Sequence, residues 1–296
     1  MITRQIIVAS AGIIASVAAG PAFAQGQRQP DQKQNVPIAT QWVLDAVGPT
    51  GRAAVKSVYM IVCQKASAKG SGFLVDNGFL VTNEHVVHGC AAGDLYATSS
   101  YGERIIFSSL KIDSVRDLAA LSPIPPITGG LALARTSTID IGSIVRTWGY
   151  PLGYNGPAPL LSVGYLSGFR ANQSGEAKVV KHLVVNAAFN SGNSGGPLFA
   201  KADNEVVAVV VSKALPVFTP FVQSAIQAFA NNETGVSFTG TGADGKPVEF
   251  VESQIVAEVV NSLRDMAQVM IGEAIAVEEV ATFLGYKYST VQPKKP

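Results

Sequence analysis

Ser194 lies in the run Asn190-Ser-Gly-Asn-Ser-Gly-Gly-Pro-Leu-Phe199. A serine hydroxyl becomes a nucleophile only when a base takes its proton and backbone donors wait for the oxyanion. The flanking glycines permit a tight backbone path that aims N–H groups at one point. The same composition also makes an ordinary Gly/Asn/Ser loop. Either way, the run joins two apolar stretches, 183–185 and 206–211, and reads as a turn between strands. The residues around Ser194 leave the two readings balanced, and a base and an acid elsewhere in the chain decide between them.

The chain holds three histidines. His85 follows the apolar segment 79–82, in the turn after a strand, where a rigid scaffold can present a catalytic group. His88, three residues on, is its rival, on the opening turn of a helix. As a metal pair the two lack a nearby third ligand, so no metal or other cofactor is expected. His182 follows Lys181 and reads as a surface residue. An imidazole base needs a carboxylate to fix its tautomer. Asp117 opens the apolar segment 118–121, whose burial calls for a partner to its charge. On its own surroundings it reads more readily as a turn cap, as Asp113 does nearby.

These residues need elements to hold them. Between 54 and 212 the pattern is short strands broken by Gly, Asn, Asp and Pro: 55–63, 72–75, 79–82, 104–111, 118–121, 143–148, 160–169, 183–185 and 206–211. Asp76-Asn-Gly78 is a tight hairpin signal. Many strands without intervening helices predict a mainly β protein built as an antiparallel sandwich or barrel. The Pro/Gly stretch 123–130 crosses between two halves. A short helix is expected at 41–47. Beyond Lys213 the character changes. Segments 218–230 and 253–271 carry helical periodicity, with Ile255, Val256, Val259, Val260, Leu263, Met266 and Met270 on one face. A hairpin is expected at 235–250 and a last helix at 277–284.

The first 24 residues have Arg4, an apolar core at 6–20 and Ala22-Phe-Ala24, the pattern of a cleavable signal peptide cut after Ala24. That core is shorter than the ~20 residues a spanning helix needs. The expectation is an exported protein, periplasmic or secreted, with no integral membrane segment after signal removal. Residues 25–40 form a polar flexible linker. Without Arg4, 21 basic residues face 21 acidic ones, a neutrality that gives no footing for nucleic acid. Cys63 and Cys90 are an even pair in an oxidising compartment. They read as a disulfide closing a loop around His85, or as two separate buried thiols.

Together these segments resemble the trypsin-like serine peptidases, and within them the HtrA/Deg-type bacterial group. Gly70-Ser-Gly-Phe-Leu-Val75 is similar to the family's glycine-rich strand, Leu80-Val-Thr-Asn-Glu-His-Val-Val87 to its histidine motif, and Asp117-Leu-Ala to its acid motif. Gly149-Tyr-Pro-Leu and Ser162-Val-Gly-Tyr-Leu-Ser-Gly168 resemble strands of its second barrel, and 186–197 its nucleophile motif. The order His, Asp, Ser also suits the family, and the resemblance covers roughly residues 54–213.

The resemblance implies two antiparallel six-stranded β-barrels with the active site between them. The protease domain would span 41–213, with barrels at about 52–125 and 138–213, followed by a helix-hairpin-helix extension at 214–296. It casts Ser194 as nucleophile, His85 as base, Asp117 as its orienting acid, and the N–H groups of Gly192 and Ser194 as the oxyanion hole. Phe189 with the strand carrying Val209 and Val211 would line the specificity pocket. No carboxylate stands there, which favours small or medium apolar residues in polypeptide substrates over Lys or Arg. Two departures stand out. Asn193 occupies the position where digestive-type relatives carry Asp, and 214–296 has no carboxylate-binding loop of PDZ type. The main competing function is a non-catalytic or latent peptide- or unfolded-protein-binding protein on the same fold. An esterase or acyl transferase on another fold is disfavoured, because the flanks of Ser194 lack the strand–turn–helix setting of the Gly-x-Ser-x-Gly elbow and the chain order differs.

Overall fold

The computed structural model describes residues 36–136, 139–174, 178–200, 205–213, 220–232, 234–241, 245–266 and 270–288. The expected leader, most of the linker and the tail from Gln292 lie outside them. The chain divides into two compact units, one made of Gln34–Ala214 with Gln268–Pro296, the other containing Leu215–Ala267.

The larger unit opens with two helices, α1 (Ile38–Ala46) and α2 (Pro49–Ser57). Residues 55–57 were expected to begin a strand and are helical instead. Pro49 at the first helical turn presets the backbone, and Arg52, Ala53, Ala54 and Lys56 are good helix formers that outweigh Val55. Then follow β1 (Val58–Cys63), β2 (Ala68–Leu74), β3 (Leu80–Thr82), the single-turn helix α3 (Glu84–Val87), β4 (Leu95–Thr98), β5 (Arg104–Asp113) and β6 (Leu118–Ile124). The six strands close into a barrel in the order β1-β2-β3-β6-β5-β4. Period-two alternation sorts their side chains. Tyr59, Ile61, Ala119 and Leu121 pack with Leu74 and Leu80 in one core, while Val58, Leu118 and Ala120 join a second.

After β7 (Ala132–Leu133) come β8 (Ile144–Gly149), β9 (Leu160–Ser174), β10 (Lys178–Asn186), β11 (Pro197–Ala200) and β12 (Glu205–Lys213). The chain then forms α4 (Pro220–Asn231), the antiparallel hairpin β13 (Ser237–Thr241) and β14 (Pro247–Val251), and α5 (Glu252–Met266). It returns as β15 (Gly272–Ala276) and ends in α6 (Val277–Leu284). β15 pairs antiparallel with both β10 and β12. The second barrel therefore runs β11-β8-β9-β10-β15-β12 and closes through β11–β12, with β7 added in parallel to β12.

This corrects the expected boundary at residue 214. The second barrel is completed by a strand that begins at Gly272, and 214–271 is an insertion between two of its neighbouring strands rather than the start of a C-terminal extension. Of the helix expected at 253–271, α5 forms to Met266, and residues 267–269 lie outside the described residues. The inserted unit itself matches the expected helix, hairpin and helix. The second barrel's interior is filled by Val145, Leu166, Leu183, Val185, Leu198, Val210 and Ala274. Between the barrels, Phe73, Val81, Leu118, Trp148, Phe199, Val209 and Ile275 pack with Val277, Val280 and Phe283 of α6.

Candidate active site

His85 sits in α3, whose start is fixed by Asn83, a fully buried residue that donates through Nδ2 to the Asp117 carbonyl at 3.0 Å. Asp117 ends the turn between β5 and β6 with φ 55°, a left-handed conformation that Asp adopts more readily than most residues. It grips His85 with both carboxylate oxygens. Oδ1 accepts the His85 backbone N–H at 3.0 Å and Oδ2 lies 2.8 Å from Nδ1. Forking the carboxylate in this way fixes ring and backbone together and leaves Nε2 turned away from the acid. His88, the sequence rival, is exposed and bonded to Glu84 at 2.6 Å, which raises its pKa.

The Ser194 loop is held from several sides. The Ser191 carbonyl accepts Leu152 N–H at 2.7 Å, and the Asn193 carbonyl accepts Gly196 N–H at 2.9 Å. In a planar trans peptide the N–H opposes the C=O, so these bonds turn the N–H groups of Gly192 and Ser194 the other way. Neither donates to a backbone carbonyl among the described residues. Gly192 has φ 92°, and an added Cβ would lie 2.5 Å from the Tyr150 carbonyl oxygen. At Gly195, with φ 85°, a Cβ would lie 2.1 Å from the Ser71 carbonyl oxygen. The Ser194 hydroxyl donates to the Val211 carbonyl at 2.6 Å, and no hydrogen bond joins it to His85 among the described residues.

The three pocket residues do not share a surface. Phe189 is buried in the interior of the second barrel, its ring against Gly272, where a Cβ would lie 2.2 Å from Cδ2. Val209 is fully buried in the core between the barrels. Val211 is half-buried beside that core and meets the Ser194 hydroxyl through its carbonyl. Cys63 and Cys90 are linked by a disulfide whose Cα atoms are 6.2 Å apart, and the loop it closes contains His85.

Ser71, in β2, holds the Ser194 loop from the first barrel. It is fully buried, its N–H donates to the Ser194 carbonyl at 2.8 Å, and its hydroxyl donates to the Gly192 carbonyl at 2.7 Å. The same oxygen accepts Tyr150 N–H at 2.8 Å, so a first-barrel strand anchors the second-barrel loop. A polar residue between two glycines in an apolar strand was the available signal. Arg116 is a second missed residue. It pairs with Asp113 and, at 2.9 Å, with Glu279 of α6. Burial opposes its charge, yet the bonds to Glu279 and Asp113 hold its pKa above the ordinary value. His182, expected at the surface, is buried beside Glu273 of β15. Pairing of β10 with β15 covers it, and residues 272–276, which form β15, fall between the two helices expected at 253–271 and 277–284.

His85 and Asp117 stand on the first barrel, and the Ser194 loop leads into β11 of the second. Residues 70–209 match the trypsin-like peptidase domain family. The chain is similar to bacterial proteins named as DegP-like and HhoA serine proteases. It is 26% identical over 233 residues to a probable periplasmic serine endoprotease DegP-like of Hahella chejuensis, covering 78% of this chain and 43% of the relative. It is 32% identical over 150 residues to a putative serine protease HhoA of Synechocystis, covering 49% and 37%. The chain thus spans less than half the length of these curated relatives. Among solved structures it is similar to the active form of the Rv3671c protease from M. tuberculosis, with a TM-score of 0.53 and 18% identity over 94% of this chain and 97% of the other.

Proposed function

We propose that the protein is an exported serine endopeptidase in which Ser194 attacks the scissile carbonyl and His85 takes and returns its proton. Asp117 orients His85 and stabilises its imidazolium, and the N–H groups of Gly192 and Ser194 receive the oxyanion. The observation that carries this reading is the forked grip of Asp117 on His85, beside a loop whose two N–H groups are turned clear of the backbone. In this reading, rotation about the Ser194 Cα–Cβ bond frees its hydroxyl from the Val211 carbonyl to meet His85. Catalytic hydrogen bonds commonly tighten only when substrate binds.

Of the expected pocket residues Val211 meets Ser194, through its carbonyl, and it brings no carboxylate for Lys or Arg, which supports a small or medium apolar side chain at the cleaved position. The Val209 side chain serves the core rather than the pocket. The signal segment, the disulfide and the DegP-like relatives support a periplasmic or secreted site of action. Among the described residues no helix is long and apolar enough to cross a membrane. The Ser194–Val211 bond favours a second reading, a latent or peptide-binding state of the same site. Casein cleavage separates them: the wild type is expected to cut, and His85→Ala to lose about 10⁴-fold or more in kcat. Casein left intact by the wild type would support the latent reading.

A further inference from the structure

We propose that Glu279 is a positioning residue for the catalytic acid, acting through Arg116 from the C-terminal helix. This rests on the peptidase reading of Asp117. The turn from β5 to β6 is four residues long, between paired Asp113 and Leu118, and its last residue is Asp117 in the left-handed region. Arg116 immediately precedes it. Its backbone N–H donates to Asp113 Oδ1 at 3.1 Å and its Nη1 pairs with Asp113 Oδ2, which folds the turn back on its own start. Its Nε donates to Glu279 Oε2 at 2.9 Å.

All three side chains are largely buried, with 10% of Arg116 and 17% of each carboxylate exposed. A guanidinium that loses one of two buried partners moves toward water or the remaining carboxylate, and either motion drags the adjoining peptide. That peptide carries Asp117, whose two oxygens must both reach His85. Glu279 Oε1 also accepts Lys181 N–H of β10 at 3.5 Å, so one carboxylate ties the acid's turn to the second barrel, which carries Ser194. The neighbouring Glu278 provides an internal comparison. It anchors the same helix turn to Thr136 through bonds of 2.7 to 2.9 Å and, among the described residues, makes none to the acid's turn.

The experiment compares Glu279→Ala, Glu279→Gln and Glu278→Ala in the mature protein. Three readouts are taken: thermal melting, steady-state kinetics on an apolar peptide ester, and the low-field proton resonance of His85 Nδ1–H. Glu279→Ala is expected to lower kcat by about 10- to 100-fold at nearly unchanged KM and to weaken the resonance. Glu279→Gln, which keeps an acceptor for Arg116 Nε, recovers part of both. Glu278→Ala lowers the melting temperature and leaves kcat and the resonance unchanged. The proposal fails if Glu279→Ala keeps kcat within twofold with the resonance intact, or if Glu278→Ala loses kcat equally. Should Glu279→Ala not fold, Glu279→Gln decides by the same kcat and resonance criteria. A wild type that hydrolyses no ester overturns the peptidase reading instead, and the resonance still reports whether Glu279 holds the acid.

Discussion

The Ser71 hydroxyl donates to the Gly192 carbonyl across the two barrels, at 2.7 Å, while accepting the Tyr150 N–H. A serine 121 positions away in sequence therefore holds the loop that carries Ser194. Ser71→Ala leaves a buried carbonyl and a buried N–H unpaired, a loss of about 1–3 kcal/mol of stability. It is also expected to lower kcat roughly tenfold or more at similar KM, because the Gly192 and Ser194 N–H groups lose their fixed aim. Denaturant unfolding and acylation kinetics check the two parts separately. Wild-type acylation in a destabilised variant would show that Ser71 serves the fold alone.

The insertion gives a second expectation. β12 and β15 pair with each other directly, so the second barrel does not need residues 215–267 to close. Replacing them with a short Gly/Ser linker should leave a cooperatively unfolding barrel that still reacts with an active-site probe. Truncating at residue 252 removes β15 and α6 and should unfold the domain. Circular dichroism and melting curves distinguish the two, and equal behaviour of both variants would contradict the assigned topology.

His182 gives a pH dependence. Burial pushes its pKa below the ordinary 6.5, although Glu273 pulls it upward, so the folded state takes its proton later than the unfolded chain does. As pH falls below about 6.5 the unfolded state binds more protons and native stability declines. His182→Gln removes this contribution. The melting temperature of the wild type should therefore fall relative to that of the variant in mild acid, and a gap independent of pH would refute the assignment.

Removing the disulfide should be costly for a different reason. Cys63 and Cys90 close a loop of 27 residues in separation, and opening it frees the unfolded chain by about 3 kcal/mol. Cys63→Ala with Cys90→Ala should lower the unfolding midpoint accordingly. Peptide mapping without reductant should recover the two cysteines linked in the wild type, whereas two free thiols would contradict the pairing.

The parts legible in the sequence are those whose signal is local. His85, Asp117 and Ser194 each sit in a short run of suggestive composition, and the strand pattern announced most of both barrels. What escaped depends on distant partners. Gly272-Glu-Ala-Ile-Ala276 continues a helical apolar spacing and contains good helix formers, yet pairing with β10 and β12 makes it a strand. His182 looked exposed because its cover comes from that same strand. Val55 has strand propensity, but the helix set up by Pro49 absorbs it. Ser71 and Arg116 act through residues 121 and 163 positions away, beyond the reach of any local pattern.

An activated Ser194 hydroxyl attacks an active-site fluorophosphonate and keeps it as a covalent label. The purified mature protein should take up one label, mapped by peptide sequencing to Ser194, and Ser194→Ala should take up none. Labelling of the alanine variant at the wild-type level would contradict the claim.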